Sequence, residues 1–373
     1  MIKRMLCLLL SAKLLFAPIG EAIKQQDTYN NTYQKVMQQE ILEQPEDNSS
    51  IKWIDRIDWT GREYVKDLYY KLEEGLDPNG CLIDITKAES KGDKHYIYVT
   101  TLEGTANKKS EAKEQIEREA NIVGQYIAVA YTAFERDHPE VFWLSGKARY
   151  NVSDYFQGES PCNYKADIYF IIKNKKFDIR SPEYQDTEKI KETIELRDKL
   201  VADITQSSPS SNRYEMLKYF NKYLIERNQY NNSSDLYSLH KDCYECISGL
   251  KGSTGPEGPV CGGYAQAFKV LCDRANIPCV LVTGYIGSTE SSSYHIWNYV
   301  QMEDEKWYAV DVTWNDAVTK DEPSTAWFLI GSETKVTSKT FGESRTISNK
   351  RLNTVYEGGP ELNKDAYNPN KAL

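Results

Sequence analysis

The stretch Gly258-Pro259-Val260-Cys261-Gly262-Gly263-Tyr264-Ala265-Gln266-Ala267-Phe268 constrains this chain more than any other. Glycine and proline break any regular element up to Val260, whereas Ala265, Phe268, Cys272 and Ala275 recur on one helical face after it. The cysteine therefore opens a helix, predicted over Cys261 to Asn276. At a helix start the first N–H groups lack intrahelical acceptors and the dipole favours an anion. A thiolate is stabilised there and is the reactive form of cysteine. The same N–H groups suit the oxyanion of a tetrahedral intermediate. The flanking glycines are expected to let a substrate backbone come close. Alone, the stretch fits a structural cysteine beside a glycine-rich turn equally well.

A base and its partner change that balance. The chain has 4 histidines, and His295 lies in Tyr294-His295-Ile296-Trp297-Asn298-Tyr299-Val300, whose alternation puts His295 and Trp297 on one strand face. The next apolar run, Trp307 to Trp314, carries Asp311 between valines, where a carboxylate needs a partner. If Glu303, Asp304 and Glu305 form a three-residue loop, Met302 faces Lys306 and Asp311 faces Trp297. His295 and Asp311 are then diagonal neighbours on one face. A two-residue loop would separate them. The rival carboxylate, Asp316, is expected in a turn, facing solvent.

These three stretches, GPVCGGYAQAF, YHIWNYV and WYAVDVTWND, in this order, resemble the core of the transglutaminase-like superfamily. The resemblance spans about Tyr214 to Tyr367 and includes Arg274, Ile277 and Pro278, the Phe328-Leu329-Ile330-Gly331 run and Pro360 to Tyr367. It implies a nucleophilic Cys261, a base His295 and an orienting Asp311, acting through a thioester. No cofactor is expected, and no His, Asp and Cys set has metal-ligand spacing. Calcium, which animal transglutaminases use, stays open although no EF-hand pattern is present. The implied fold is α+β and papain-like: a helix with an N-terminal Cys packed on an antiparallel sheet, after a separate N-terminal α/β domain. Gly262, Trp297 and Tyr230 are the candidates for oxyanion or substrate contact. Animal transglutaminases use an upstream Trp there, and no Trp lies between Trp143 and Cys261. Transamidation and hydrolysis both stay open. The implied partner is a protein or peptide carrying amide groups, with or without an amine acceptor. Asp137-His138-Pro139-Glu140-Val141-Phe142-Trp143 resembles the region ahead of the core in exported members, and equally fits an ordinary helix exit.

The rest of the chain sets the context. Residues 1–22 look like a signal peptide, with Lys3 and Arg4, an apolar run interrupted by Lys13, and Gly20-Glu21-Ala22, so a secreted or cell-surface location is expected. Polar residues 23–55 form a linker. Residues 56–206 form an N-terminal α+β domain, 207–367 the transglutaminase-like domain and 368–373 a tail. The serine run Ser207-Ser208-Pro209-Ser210-Ser211 marks the boundary. Helices are predicted over Gly61–Leu76, Ser110–Arg136, Glu188–Thr205 and Asn212–Gln229. Strands are predicted over His95–Leu102, Tyr164–Lys173, Cys279–Tyr285, Tyr294–Gln301, Trp307–Thr313 and Trp327–Ile330.

A net charge of −9 with interspersed signs argues against nucleic acid as a partner. No segment after the signal supplies the roughly 20 apolar residues of a membrane span. Signal removal leaves Cys81, Cys162, Cys243, Cys246, Cys261, Cys272 and Cys279, an odd set that points to one unpaired thiol. Cys243-Tyr244-Glu245-Cys246 lacks the strand context of a redox site and the further ligands of a zinc site. A binding module that kept the fold and lost the chemistry is the competing functional class.

Overall fold

The computed structural model describes residues 52–56, 61–74, 89–91, 94–144, 149–172, 187–232, 243–287, 293–316, 325–347 and 360–371. The signal peptide, Cys81 and most of the expected linker lie outside them. Two units are distinguished: Trp53–Glu135 with Trp143–Glu192, and Arg136–Phe142 with Thr193–Leu373.

The first unit starts with a 3₁₀ turn, Trp53–Arg56, in which Trp53 and Ile54 are buried, so the polar linker ends before Trp53. Helix α1 is Glu63–Glu74 and turns Val65, Leu68, Tyr69 and Leu72 inward. Strands β1 (Glu89–Lys91) and β2 (Lys94–Ala106) precede helix α2 (Lys109–Asp137), then β3 (Arg149–Gln157) and β4 (Cys162–Ile172). They form an antiparallel sheet in the order β1-β2-β4-β3. The predicted stripe of α2, Ile116, Ala120, Val123, Ile127 and Ala130, is buried throughout, as its spacing requires. Strand β3 leaves little trace in the sequence: its alternation is weak, because Arg149, Asn151, Ser153, Asp154, Tyr155 and Gln157 are all exposed.

Helix α3 (Thr187–Gln206) crosses the unit boundary, which therefore falls within it rather than at the serine run. Val201 and Ile204 belong to the core of the second unit, and Arg197 Nη1 donates to the Glu140 carbonyl at 2.7 Å. A polar serine run marks a loop, but burial decides which core a helix joins.

In the second unit, α4 (Arg213–Arg227) is capped by Asn212, whose side chain accepts from the Glu215 N–H at 3.2 Å. Helix α5 (Cys246–Lys251) leads into a 3₁₀ turn and then α6 (Cys261–Arg274). Strands β5 (Cys279–Ile286), β6 (Tyr294–Gln301) and β7 (Trp307–Val310), helices α7 (Val312–Asp316) and α8 (Phe341–Ser344), and β8 (Arg345–Ile347) complete it. The antiparallel sheet runs β7-β6-β5-β8.

The β6–β7 register pairs Gln301 with Trp307 and Asn298 with Val310, the register expected from a three-residue loop. Met302 N donates to the Lys306 carbonyl at 3.0 Å, and Glu305 takes a left-handed φ of 62° to close the turn. The expected Trp327–Ile330 strand is absent. Leu329 has φ 51°, which breaks an extended run, and only Ile330 bridges to Ala309.

Helix α6 is pinned to the sheet by polar as well as apolar contacts. Asn298 Nδ2 donates to the Ala265 carbonyl at 3.0 Å, and buried Lys269 donates to the Cys279 carbonyl at 3.2 Å. Lys269 also pairs with Asp273 at 2.9 Å. Asp273→Asn should cost about 2 kcal/mol, less than the 3–5 kcal/mol of a fully buried pair because the Asp273 side chain is 41% exposed. A urea midpoint unchanged by this substitution would refute it.

Gly284 fixes the other edge. A Cβ there would sit 2.1 Å from the Thr346 carbonyl oxygen of β8 and 2.9 Å from the Trp297 ring. Gly284→Ala should therefore destabilise by about 2–3 kcal/mol through overpacking against backbone. The check is thermal melting, where a variant as stable as the parent would contradict this packing.

Candidate active site

Cys261 is the first residue of α6 and is 8% exposed. The chain approaches it along Cys243: Val260 N donates to the Cys243 carbonyl at 2.9 Å, and Asn231 N to the Pro259 carbonyl at 3.0 Å. The two glycines after it are needed by this packing. A Cβ on Gly262 would meet the Tyr244 carbonyl at 3.0 Å, and one on Gly263 would meet Ser248 Oγ at 2.4 Å. The expectation that the glycines make room for substrate is corrected accordingly: the backbone of Tyr244 and the side chain of Ser248 fill the space where their side chains would stand.

His295 and Asp311 meet. His295 Nε2 and Asp311 Oδ2 are 2.8 Å apart, at 0% and 1% side-chain exposure. The strand does not reach Asp311 as predicted but stops at Val310. Asp311 Oδ1 accepts from the Trp314 N–H at 3.1 Å, so Asp311 caps α7 while its other oxygen serves His295. Asp-Val-Thr-Trp-Asn carried that capping signal in the sequence. Behind the imidazole, Trp297 stacks on it with ring centroids 6.0 Å apart and planes 22° apart. Trp297 is 0% exposed, so it backs the histidine from within the core.

A residue absent from every sequence motif completes the cluster. Arg345 Nη2 in β8 donates to Asp311 Oδ2 at 2.9 Å. Its guanidinium lies 4.7 Å from the Trp327 ring centroid, 5.0 Å from Trp314, 5.6 Å from Phe341 and 5.8 Å from Trp297. Burial pushes the Asp311 carboxyl up, but the charges and hydrogen bonds of His295 and Arg345 outweigh it and hold it below the usual carboxylate range.

Asp316 does not face solvent. It accepts from the Tyr264 hydroxyl and, at 3.2 Å, from the Tyr230 N–H. Burial and the adjacent Asp316 push the Tyr264 phenol up, keeping it a donor. The Tyr230 ring stacks on Tyr264 at 6.5 Å and 4°, one helical turn after Cys261. Helix α7 thus begins at the carboxylate that holds His295 and ends at the one that holds the cysteine's helix.

The six described cysteines, Cys162, Cys243, Cys246, Cys261, Cys272 and Cys279, are joined by no disulfide, so the odd count does not single out Cys261. Cys272 and Cys279 interact thiol to thiol across the α6–β5 turn, and burial holds the Cys272 thiol high. Among the described residues no three His, Cys, Asp or Glu side chains gather to hold a metal. No helix among them is long and apolar enough to cross a membrane.

The sequence model of the Transglutaminase-like superfamily matches residues 198–312, which include Cys261, His295 and Asp311. Kyphoscoliosis peptidase of mouse is 35% identical over 77 residues, 18% of this chain. The human protein of that name is 34% identical over 77 residues. The chain covers 12% of the length of each. A solved structure of a candidate cysteine protease from Cytophaga hutchinsonii overlaps 45% of this chain and 65% of its own, at 13% identity and TM-score 0.25. Residues 198–312 of this chain therefore carry a transglutaminase-like domain.

Proposed function

We propose that the protein is an exported, cysteine-dependent acyl-transfer enzyme acting on amide groups of proteins or peptides, glutamine side chains foremost. The observation that carries this reading is the buried 2.8 Å pair of His295 Nε2 with Asp311 Oδ2, in the unit whose sheet packs against the cysteine-led helix. Asp311 fixes Nε2, so Nδ1 is the nitrogen that exchanges a proton with Cys261. The Cys261 thiolate attacks the amide carbonyl carbon, and N–H groups at the start of α6 receive the oxyanion. The C–N bond breaks as imidazolium His295 gives its proton to the leaving amine, which is ammonia for a glutamine side chain. The resulting thioester is attacked by a lysine amine or by water. His295 takes the attacking group's proton, and the thiolate leaves.

The peptidase names of the curated relatives favour the hydrolytic branch as a second reading. One incubation separates the two branches: purified protein with a glutamine donor and a labelled primary amine, its products weighed by mass spectrometry. Transamidation adds the amine less ammonia, deamidation adds about 1 Da, and peptide cleavage splits the donor. None of these three products with any amide donor would leave the binding-module class in possession.

A further inference from the structure

Arg345 lies outside the matched residues 198–312, yet its guanidinium takes the same Asp311 oxygen as His295. We propose that Arg345 is a positioning residue of the reaction: it fixes the Asp311 carboxylate against His295 and supplies the charge that balances an ionised Cys261–His295 pair. This rests on the roles given above to Cys261, His295 and Asp311.

The argument starts from charge. With thiolate, imidazolium and carboxylate all ionised, the site would carry one uncompensated negative charge in a buried setting, which is costly. Arg345 neutralises it, and a guanidinium does not lose its proton at any working pH. Both cations sit within hydrogen-bonding distance of one oxygen, so Arg345 also opposes protonation of His295 while stabilising the thiolate. The charged groups facing Asp311 are His295 from β6 and Arg345 from β8. From the neighbouring elements, Asp316 at the end of α7 is engaged by Tyr264, and Glu343 of α8 by Thr340.

The surroundings fit a held guanidinium rather than a flexible one. Four aromatic rings surround it, and a planar cation stacks on such faces in a way that an ammonium does not. Strand β8 places it by pairing with β5 at Gly284–Ile347 and Ile286–Arg345, the approach that Gly284 permits.

The test reads the thiol and turnover separately. Alkylation of Cys261 by iodoacetamide is followed against pH, with Cys261→Ala as the blank, alongside kcat and KM on an amide donor. Arg345→Met should move the alkylation midpoint and both limbs of the kcat profile up by about one pH unit. Its kcat at the parent's optimum should fall about tenfold with little change in KM. Arg345→Lys keeps the charge and loses the fork, so the midpoint should stay while kcat falls. An Arg345→Met enzyme with the parent's midpoint and kcat overturns the proposal. So does an Arg345→Lys midpoint displaced by a full unit, which would assign the effect to packing. If the methionine variant does not fold, the lysine variant decides alone: a parental kcat rejects the positioning role. Equal labelling of the parent and Cys261→Ala would remove the nucleophile itself, a failure distinct from a normal thiol profile that ignores Arg345.

Discussion

Cys261→Ala is expected to abolish turnover, with a loss on the order of 10⁶ in kcat, the scale seen when a triad loses its nucleophile. Tyr264 is engaged by Asp316, and the nearest cysteine in sequence on the same helix, Cys272, is fully buried with its thiol held high. The fold should survive. Cys261 is 8% exposed rather than open to solvent, so the missing sulfur leaves a small void and costs about 1 kcal/mol. The variant should therefore melt as a folded protein and still bind an amide substrate, with neither transamidation nor hydrolysis. Retained turnover above a thousandth of the parent's, intrinsic to the purified variant, would reject Cys261 as the nucleophile.

The parts of this site that were legible in the sequence are those encoded by local period. Alternation in Tyr294–Val300 and Trp307–Val310, with a three-residue loop between them, fixes which face each side chain takes. That is why the His295–Asp311 meeting could be worked out by counting. The glycine-rich approach to α6 was legible for the same reason, although its glycines serve Tyr244 and Ser248 rather than a substrate. Arg345 was not legible. Its strand has three residues, too few to show alternation, and a charged residue between Ser344 and Thr346 looks solvated. Only the pairing of β8 with β5, a long-range event, brings it under Asp311. The sequence around Asp316 suggests a solvated turn, because an acidic residue follows closely on Trp314. What decides its setting is Tyr264, 52 residues earlier in the chain. The end of β7 was a local signal passed over, since a helix cap and a strand terminus coincide at Asp311.

Asp311→Asn tests the site most severely, and Arg345 changes what it should do. In a simple triad the amide keeps the shape and lowers kcat by about 10⁴, because the imidazole adopts the wrong tautomer. The same loss is expected here. An asparagine oxygen can still cap α7, but its NH₂ would face His295 Nε2 and drive the ring proton onto Nδ1. Near-normal stability, the simple-triad expectation, does not follow. The amide also confronts the buried Arg345 guanidinium, at 2% side-chain exposure, with a donor in place of a carboxylate. An unpaired buried cation costs about 3–5 kcal/mol. The acid limb of stability should change too. The folded-state carboxyl lies below its unfolded value, so its contribution is complete above about pH 4 and is lost as pH falls through the folded value. Asp311→Asn should lack that limb. Adding Arg345→Met removes the unpaired cation, and the double variant should recover most of the stability but none of the turnover. Urea midpoints across pH and kcat on an amide donor would separate the two effects. Asp316→Asn, at the residue that holds Tyr264 and the Tyr230 N–H, is the control. Should Asp311→Asn keep kcat within tenfold while Asp316→Asn abolishes it, the orienting carboxylate is Asp316 and the buried pair is structural.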